Sequence, residues 1–212
     1  MQCLLYQAPF VQVLLSESTE ILRKLQKADQ RIKSIIELFT ILVREVWESS
    51  TTTRGGAISP KGMCASLKRV GKQFKLFRQE DAHEYLRQLI DTMHEEILKS
   101  HGLKLSDGKI TETTMISRVF GGTLCNTLTC PKCQYQSKTF NHFQDLSLDV
   151  NKPGINSVDA AIRSFTQIES LSSGNEWKCE KCKQKVKVNA YDAIDVVLCV
   201  LLYEYPIRQP NK

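Results

Sequence analysis

Two short stretches carry the clearest chemistry in the chain. "CPKC" at Cys130 and Cys133 and "CEKC" at Cys179 and Cys182 are Cys-x-x-Cys knuckles, the unit that presents two thiolates to one tetrahedral Zn²⁺. Together they specify a four-cysteine site for a single structural ion. The 46-residue step from Cys133 to Cys179 is longer than in a compact zinc ribbon, so the intervening chain must double back to join the knuckles. Four thiolates on Zn²⁺ carry a net charge of about −2, which Lys132, Lys178, Lys181 and Lys183 beside the ligands offset. Four ordinary buried cysteines are the weaker reading, because such residues seldom come as two matched pairs. Cys64, Cys125 and Cys199 sit among apolar or strand-like residues and read as packing residues.

The other reactive side chains are less organised. Cys3 lies in "MQCLLYQAPF", an apolar, helix-like run. His83, His94, His101 and His142 each read as a solvated or locally hydrogen-bonded surface histidine. Lys183, Lys185 and Lys187 alternate as they would on one face of a strand, a pattern that would suit a nucleic-acid-binding zinc ribbon. No aromatic residue interleaves them, so a solvated basic edge that discourages sheet pairing is the better account.

Composition frames these candidates. The chain has 212 residues and 42% apolar content, enough to fill a globular core. Its net charge of +6 is spread along the sequence, so nucleic acid is not demanded as a partner. No run approaches the roughly 20 apolar residues that span a bilayer; the longest, 196–203, reads as a buried strand. The first residues lack a basic region and are interrupted by Gln2, Gln7 and Pro9, which argues against a signal peptide. The expectation is a soluble protein of the cytosol or nucleus, with no membrane partner, where thiols stay reduced and paired cysteines hold metal rather than disulfides.

The elements that position the site follow from periodicity. In "DQRIKSIIELFTILVREVWESS", Ile32, Ile35, Ile36, Phe39, Leu42, Val43, Val46 and Trp47 recur at helical steps and form one core face. Residues 49–62, rich in Ser, Thr and Gly with Pro60, read as a surface loop. A second helix lies in "RQEDAHEYLRQLIDTMHEEILKSHG". Its buried stripe is Ala82, Tyr85, Leu86, Leu89, Ile90, Met93, Ile97 and Leu98, its polar face is His83, Glu84, Arg87, Asp91 and His94, and Lys99 with Gly102 marks its end. From about Val119 the period becomes alternating. Strands are expected around Leu124 and Leu128, over Leu146, Leu148 and Val150, and again at 186–190 and 194–202. Between them a short helix capped by Ser157 turns Val158, Ala161, Ile162 and Phe165 inward. Helices first and a mostly antiparallel sheet after make the fold α+β.

The segment containing Gln79, Glu80, Asp81, Ala82, His83, Glu84, Tyr85 and Leu86 resembles the ubiquitin-specific protease family, whose members carry a Gln-(Gln/Glu)-Asp-Ala-x-Glu-(Phe/Tyr)-Leu box opening a helix. "FGGTLCNTLTCPKCQYQSKTFNHFQDLSLDV" is similar to the family's first finger knuckle and the Asp-Leu-Ser-Leu strand after it. "SVDAAIRSFTQIESLSSGNEWKCEKCKQKV" is similar to the segment ending in the second knuckle. The resemblance runs over about residues 1–202. It implies a papain-like thumb, palm and fingers architecture, here incomplete, with a zinc-ribbon-like finger region: a helical thumb portion over 1–118, and fingers with part of the palm sheet over 119–212. It also implies deubiquitination, thiol-dependent hydrolysis of the bond after ubiquitin's final glycine, with ubiquitin or ubiquitinated proteins as partners. On the same ground Asp81, assisted by Gln79 and Glu80, is the expected contact for ubiquitin's basic, extended tail, since carboxylates pair with Arg side chains and accept backbone N–H groups. Read without the resemblance, these residues are the acidic first turn of a helix.

The resemblance also assigns the reactive groups. The family nucleophile lies in an Asn-x-Cys box running on into (Leu/Met)-Gln-x-Leu, and Met1 and Gln2 match only that last part. Cys3 then falls eight positions past the nucleophile, roughly 12 Å along a helix and away from the helix N-terminus that lowers a catalytic thiol's pKa. The family's base, a histidine in a Gly-His-Tyr setting, has no counterpart here. At the other end Leu198 and Leu202 match the family strand, but Tyr203, Glu204 and Tyr205 replace its Lys-Arg-Phe. The expectation is therefore a chain that lacks the catalytic cysteine and histidine, truncated or degenerate, with binding of ubiquitin without cleavage as the alternative function.

Overall fold

The structure is a computed structural model that describes residues 2–28, 33–51, 57–106, 112–167, 169–171 and 176–195. The chain divides into two compact units, Met1–Val119 and Phe120–Lys212.

The first unit is helical. Its elements are α1 (Gln2–Leu5), α2 (Ala8–Ala28), α3 (Ile35–Thr51), α4 (Lys61–Ala65), α5 (Leu67–Val70), α6 (Ala82–Ser100) and α7 (Met115–Phe120), the last reaching the boundary. Phe10, Val11, Leu14 and Ile21 of α2, Ile35, Ile36, Phe39, Leu42 and Val43 of α3, and Leu89, Met93, Ile97 and Leu98 of α6 are all buried. Three- and four-residue steps thus give each long helix one apolar stripe, and the three stripes share one core. The Phe10 and Phe39 rings meet at 5.9 Å. Trp47 departs from the expected stripe, being 41% exposed, with its indole N–H donated to the Leu5 carbonyl at 3.0 Å. The expected loop over 49–62 begins later, since α3 runs on to Thr51, and it closes at Lys61, where α4 starts. Ile32 lies outside the described residues.

α6 begins and ends as its sequence requires. Asp81 is the N-cap, its Oδ1 accepting the Glu84 N–H at 2.7 Å. At the other end Gly102 takes φ +70°, and the Gly102 and Leu103 N–H groups close onto the Lys99 and Leu98 carbonyls, the left-handed termination that glycine favours. Two assignments on this helix need correction. His94 is buried at 6% exposure, because it stands one turn from Ile90, Ile97 and Leu98 and the buried stripe is wide enough to include it. Ala82 is exposed, since the first turn projects past the core.

The second unit is a sheet with one helix. β1 (Gly122–Thr129), β2 (Gln136–Phe143), β6 (Val188–Asp195) and β3 (Glu169–Leu171) form an antiparallel sheet in the order β2-β1-β6-β3, and β4 (Trp177–Lys178) pairs with β5 (Lys185–Val186). α8 (Val158–Phe165) is capped by Ser157, whose Oγ accepts the Ala160 N–H at 3.2 Å, as expected. Leu146, Leu148 and Val150 are not in a strand: the alternation is present, but no ladder pairs with it among the described residues. Of the strands expected at 186–190 and 194–202, Val186 belongs to β5, whereas β6 runs unbroken from Val188 to Asp195 across the expected gap; residues beyond Asp195, Cys199 included, lie outside the described residues.

Candidate functional site

Each Cys-x-x-Cys is the turn of a hairpin. The first knuckle joins β1 to β2 and the second joins β4 to β5. β1 enters the first knuckle at its end, whereas β5 leaves the second and passes through Lys187 into the start of β6. Antiparallel pairing of β1 with β6, with Leu128 opposite Ala190, therefore brings both knuckles to the same end of the sheet. This is how the long step between Cys133 and Cys179 closes.

The two turns have the same hydrogen bonds. Gln134 donates its N–H to the Cys130 carbonyl and Cys130 donates to Tyr135, both at 2.9 Å. Lys183 donates to Cys179 and Cys179 to Gln184, again at 2.9 Å. In each the residue after the second cysteine is left-handed, Gln134 at φ 57° and Lys183 at φ 59°.

The four sulfurs converge. Cys133 Sγ lies 3.6 Å from Cys179 Sγ, Cys130 Sγ lies 3.8 Å from Cys182 Sγ, and all four lie within 4.8 Å of one another. A tetrahedral ion with metal–sulfur bonds of about 2.3 Å has ligand sulfurs about 3.8 Å apart, so the cluster fits such an ion. It does not fit disulfides, which need sulfurs about 2.05 Å apart. Cys130 and Cys179 are fully buried against Val186 and Val188, with Leu128, Tyr135 and Trp177 packed beside them. Tyr135 and Trp177 stack at 6.5 Å with their planes 7° apart. Lys132 Nζ donates to Gln184 Oε1 at 2.6 Å, and the Tyr135 hydroxyl donates to Glu180 at 3.2 Å, so side chains as well as strands tie one knuckle to the other.

The electrostatics of the cluster ask for a cation. Burial opposes ionisation of Cys130, but the Cys133 and Lys132 amides and the neighbouring thiols outweigh it and bring the thiol down to about 7. At Cys133 the Tyr135 amide favours the thiolate, yet burial and the other thiols win and push it up to about 11. One thiol ionises readily and its neighbour then resists, which a bound dication reverses. Lys132, Lys178, Lys181 and Lys183 surround the cluster and are exposed.

The remaining candidates are placed elsewhere. Cys125 is buried, with its sulfur 3.7 Å from Thr127 Oγ1, as a packing residue should be. Cys64 is exposed, contrary to expectation, because it lies on the solvent side of the short α4 while Met63 takes the core. Cys3 lies in α1. Asp81, Glu80 and Gln79 are exposed at the entry to α6. One oxygen of Asp81 caps the helix, and Glu80 Oε1 accepts the Lys75 N–H at 3.1 Å. His101 meets the Ile97 carbonyl through Nδ1 at 2.9 Å, and His142 Nδ1 meets Thr123 Oγ1 at 3.2 Å. Tyr135, Trp177 and Gln184 are supports of the four-cysteine cluster that motif reading missed; the usable signal was an aromatic residue two positions outside each knuckle.

Comparison with known proteins agrees with this arrangement. The family model described as "Ubiquitin carboxyl-terminal hydrolase" matches residues 1–196. Ubiquitin carboxyl-terminal hydrolase 23 of Arabidopsis thaliana is 37% identical over 134 residues, covering 63% of this chain and 15% of the relative. Probable ubiquitin carboxyl-terminal hydrolase 16 of Schizosaccharomyces pombe is 34% identical over 144 residues, covering 68% and 30%. Ubiquitin carboxyl-terminal hydrolase 36 of Drosophila willistoni is 34% identical over 160 residues, covering 74% and 12%. The chain thus matches less than a third of the length of each of these relatives. Among solved structures, a SAGA DUB module of a single-site variant of Ubp8 with Sgf11(1-72, Delta-ZnF), Sus1 and Sgf73 superimposes with a TM-score of 0.65 at 22% identity, over 91% of this chain and 41% of that one. The SAGA Ubp8/Sgf11/Sus1/Sgf73 DUB module bound to ubiquitin aldehyde gives 0.62 at 20% identity, over 91% and 40%. The fold is that of the matched part of these chains, and the chain belongs to the ubiquitin carboxyl-terminal hydrolase family.

Proposed function

We propose that this chain is the ubiquitin-holding part of a thiol-type deubiquitinase of the cytosol or nucleus. The match of the family model over residues 1–196 carries the reading. In it Cys130, Cys133, Cys179 and Cys182 hold one structural Zn²⁺ that fixes the fingers against the body of ubiquitin, and the ion supplies folding energy rather than chemistry. Asp81, with Gln79 and Glu80, receives the ubiquitin tail. The Asp81 oxygen left over from capping is available to an Arg or backbone N–H donor, and the helix start holds that carboxylate in place.

Hydrolysis in the family reading is attack by a thiolate on the carbonyl after ubiquitin's last glycine, with a base taking the thiol proton and an acyl-enzyme intermediate between the two steps. In this reading none of the thiols with described side chains is the nucleophile. Four belong to the metal cluster, Cys125 is buried, and Cys64 has no side-chain hydrogen bond among the described residues. The zinc-loaded chain is therefore expected to bind ubiquitin, followed by NMR titration of labelled ubiquitin, and to form no adduct with ubiquitin carrying a carboxy-terminal electrophile. Asp81→Asn weakens that binding about tenfold, in keeping with loss of a charge-assisted pair. Failure of the folded, metal-loaded chain to bind ubiquitin removes the reading, and a covalent adduct at Cys3 or Cys64 replaces it with a catalytic one.

A further inference from the structure

The segment 71–78, immediately before the α6 box, is built to present side chains outward. Phe74 anchors it: the ring is buried and meets Tyr85 edge-on at 5.4 Å. Gly71 has no room for a side chain, since a Cβ there would lie 2.6 Å from the Phe74 ring and 2.1 Å from Gln88 Oε1. Two carboxylates of the α6 entry hold the segment down, Glu80 accepting the Lys75 N–H at 3.1 Å and Glu84 accepting from Gln73 Nε2 at 2.9 Å.

On this fixed base stand Leu76, 51% exposed, and Phe77, fully exposed. Phe77 also takes φ 61°, a left-handed conformation that is a genuine outlier for a bulky residue and disfavours any side chain other than glycine or asparagine. An exposed aromatic side chain held in a strained backbone returns nothing to the fold, and such outliers point to a function. The charge of the segment is equally one-sided. Positions 68–78 contain five cations and no carboxylate. Arg69 is used internally, on the Lys33 carbonyl and Glu96, whereas Lys72, Lys75 and Arg78 have no ion pair among the described residues.

We infer that this segment is a docking site for an acidic segment of a partner protein that carries an apolar side chain. Leu76 and Phe77 take the apolar side chain, and Lys72, Lys75 and Arg78 pair with the flanking carboxylates. The ubiquitin tail is not that ligand, because it is itself basic. An anionic membrane plane is disfavoured by Glu80, Asp81 and Glu84, which the sequence sets directly beside the basic residues and which a flat sheet of headgroups would press against. A single peptide strand can meet the cations and miss the acids. The inference stands on the segment's own geometry and does not rest on the ubiquitin reading.

The test uses the zinc-loaded full chain and a fluorescein-labelled peptide of alternating Glu and Phe, with a Lys and Phe peptide as control, in fluorescence anisotropy. The Glu and Phe peptide binds, the control does not, and affinity falls as salt is raised. Phe77→Ala and the double change Lys75→Glu with Arg78→Glu each weaken binding about tenfold, while ubiquitin binding is unchanged. Phe77→Gly abolishes peptide binding yet raises the thermal midpoint, because it removes the strained side chain. Four results overturn the inference: no binding of the acidic peptide; equal binding of both peptides; co-sedimentation of the chain with phosphatidylserine vesicles that Phe77→Ala abolishes; or a lowered midpoint in Phe77→Gly, which would make Phe77 a packing residue. A fifth, loss of ubiquitin binding in the Phe77 variants, overturns it by assigning the segment to the ubiquitin site.

Discussion

Gln134 and Lys183 follow the second cysteine of their knuckles in the left-handed region, at φ 57° and 59°, where an L side chain is strained and glycine is not. The conformation is imposed: each residue's N–H must reach back to the carbonyl of the first cysteine, which turns both sulfurs of the knuckle toward the same four-cysteine cluster. Gln134→Gly and Lys183→Gly are each expected to stabilise the metal-loaded protein by about 1 kcal/mol, measured by urea unfolding with zinc present. A loss of stability at either would mean that the side chain contributes more than its backbone strain removes. Tyr85 offers a second test. Its hydroxyl is buried without a hydrogen-bond partner among the described residues, and burial, with the neighbouring Cys64 thiol adding to it, pushes its pKa up to about 12. The folded state thus holds the phenol proton more tightly than the unfolded chain, which releases it near pH 10. Stability from this group is complete below pH 10 and is lost as pH rises toward 12. Tyr85→Phe removes the unpaired hydroxyl, so it raises stability at pH 7 by about 1 kcal/mol and flattens the alkaline limb of the stability–pH curve. An unchanged alkaline limb in this variant would show that another group titrates there.

Among the helices, the junction of α3 and α6 depends on one carboxylate. Glu96 of α6 accepts the Ile35 and Ile36 N–H groups, each at 2.9 Å, and Ser34 Oγ accepts the Glu37 N–H at 3.1 Å. Three of the N–H groups that open α3 are therefore satisfied by side chains, two of them from another helix, and the charge sits at the positive end of the α3 dipole. Glu96→Ala leaves those donors unpaired at a partly buried junction and is expected to destabilise the protein by about 2–3 kcal/mol, read in thermal unfolding, whereas Glu95→Ala, on the exposed side of the same turn, changes little. Equal effects of the two substitutions would deny the junction. Nothing in the local sequence announces Glu96, which pairs with residues sixty positions away. What was legible is what local rules decide: the α3 and α6 stripes, the Asp81 and Ser157 caps, the Gly102 stop and the two knuckles. What was not legible depends on tertiary pairing. The alternation of Leu146, Leu148 and Val150 signals a strand only when a partner strand lies beside it. β6 runs through Ala190 to Asp195, where sequence reading ended one strand and began another, because β1 pairs with it continuously from Ala190 to Asp195. His94 was assigned to solvent because residue type was given more weight than its place on the stripe.

For the molecule as a whole, the two compact units differ in what holds them. The helical unit has a shared core of large apolar side chains, whereas the buried cluster around the knuckles consists of Cys130, Cys179, Val186 and Val188 with a few partly buried neighbours. So small a cluster contributes little, and a zinc ion held by the four thiolates, as proposed above, would supply on the order of 10 kcal/mol, enough to decide whether the knuckle end of the sheet folds. Removing the metal with a tight chelator should unfold that end and spare the helices. The two tryptophans report on this separately, since Trp47 lies in α3 and Trp177 stacks on Tyr135 beside the cluster. In the Trp47→Phe variant the remaining emission comes from Trp177 and is expected to shift to the red on chelation, while the helical far-UV signal is largely retained. Protons compete with the ion for the thiolates, so the same red shift should appear without chelator as the pH falls and reverse when zinc is added back near neutrality. A Trp177 spectrum indifferent to chelation would show that apolar packing alone holds the knuckles together. Helices that melted at the same chelator concentration would show that the ion stabilises both units as one cooperative structure.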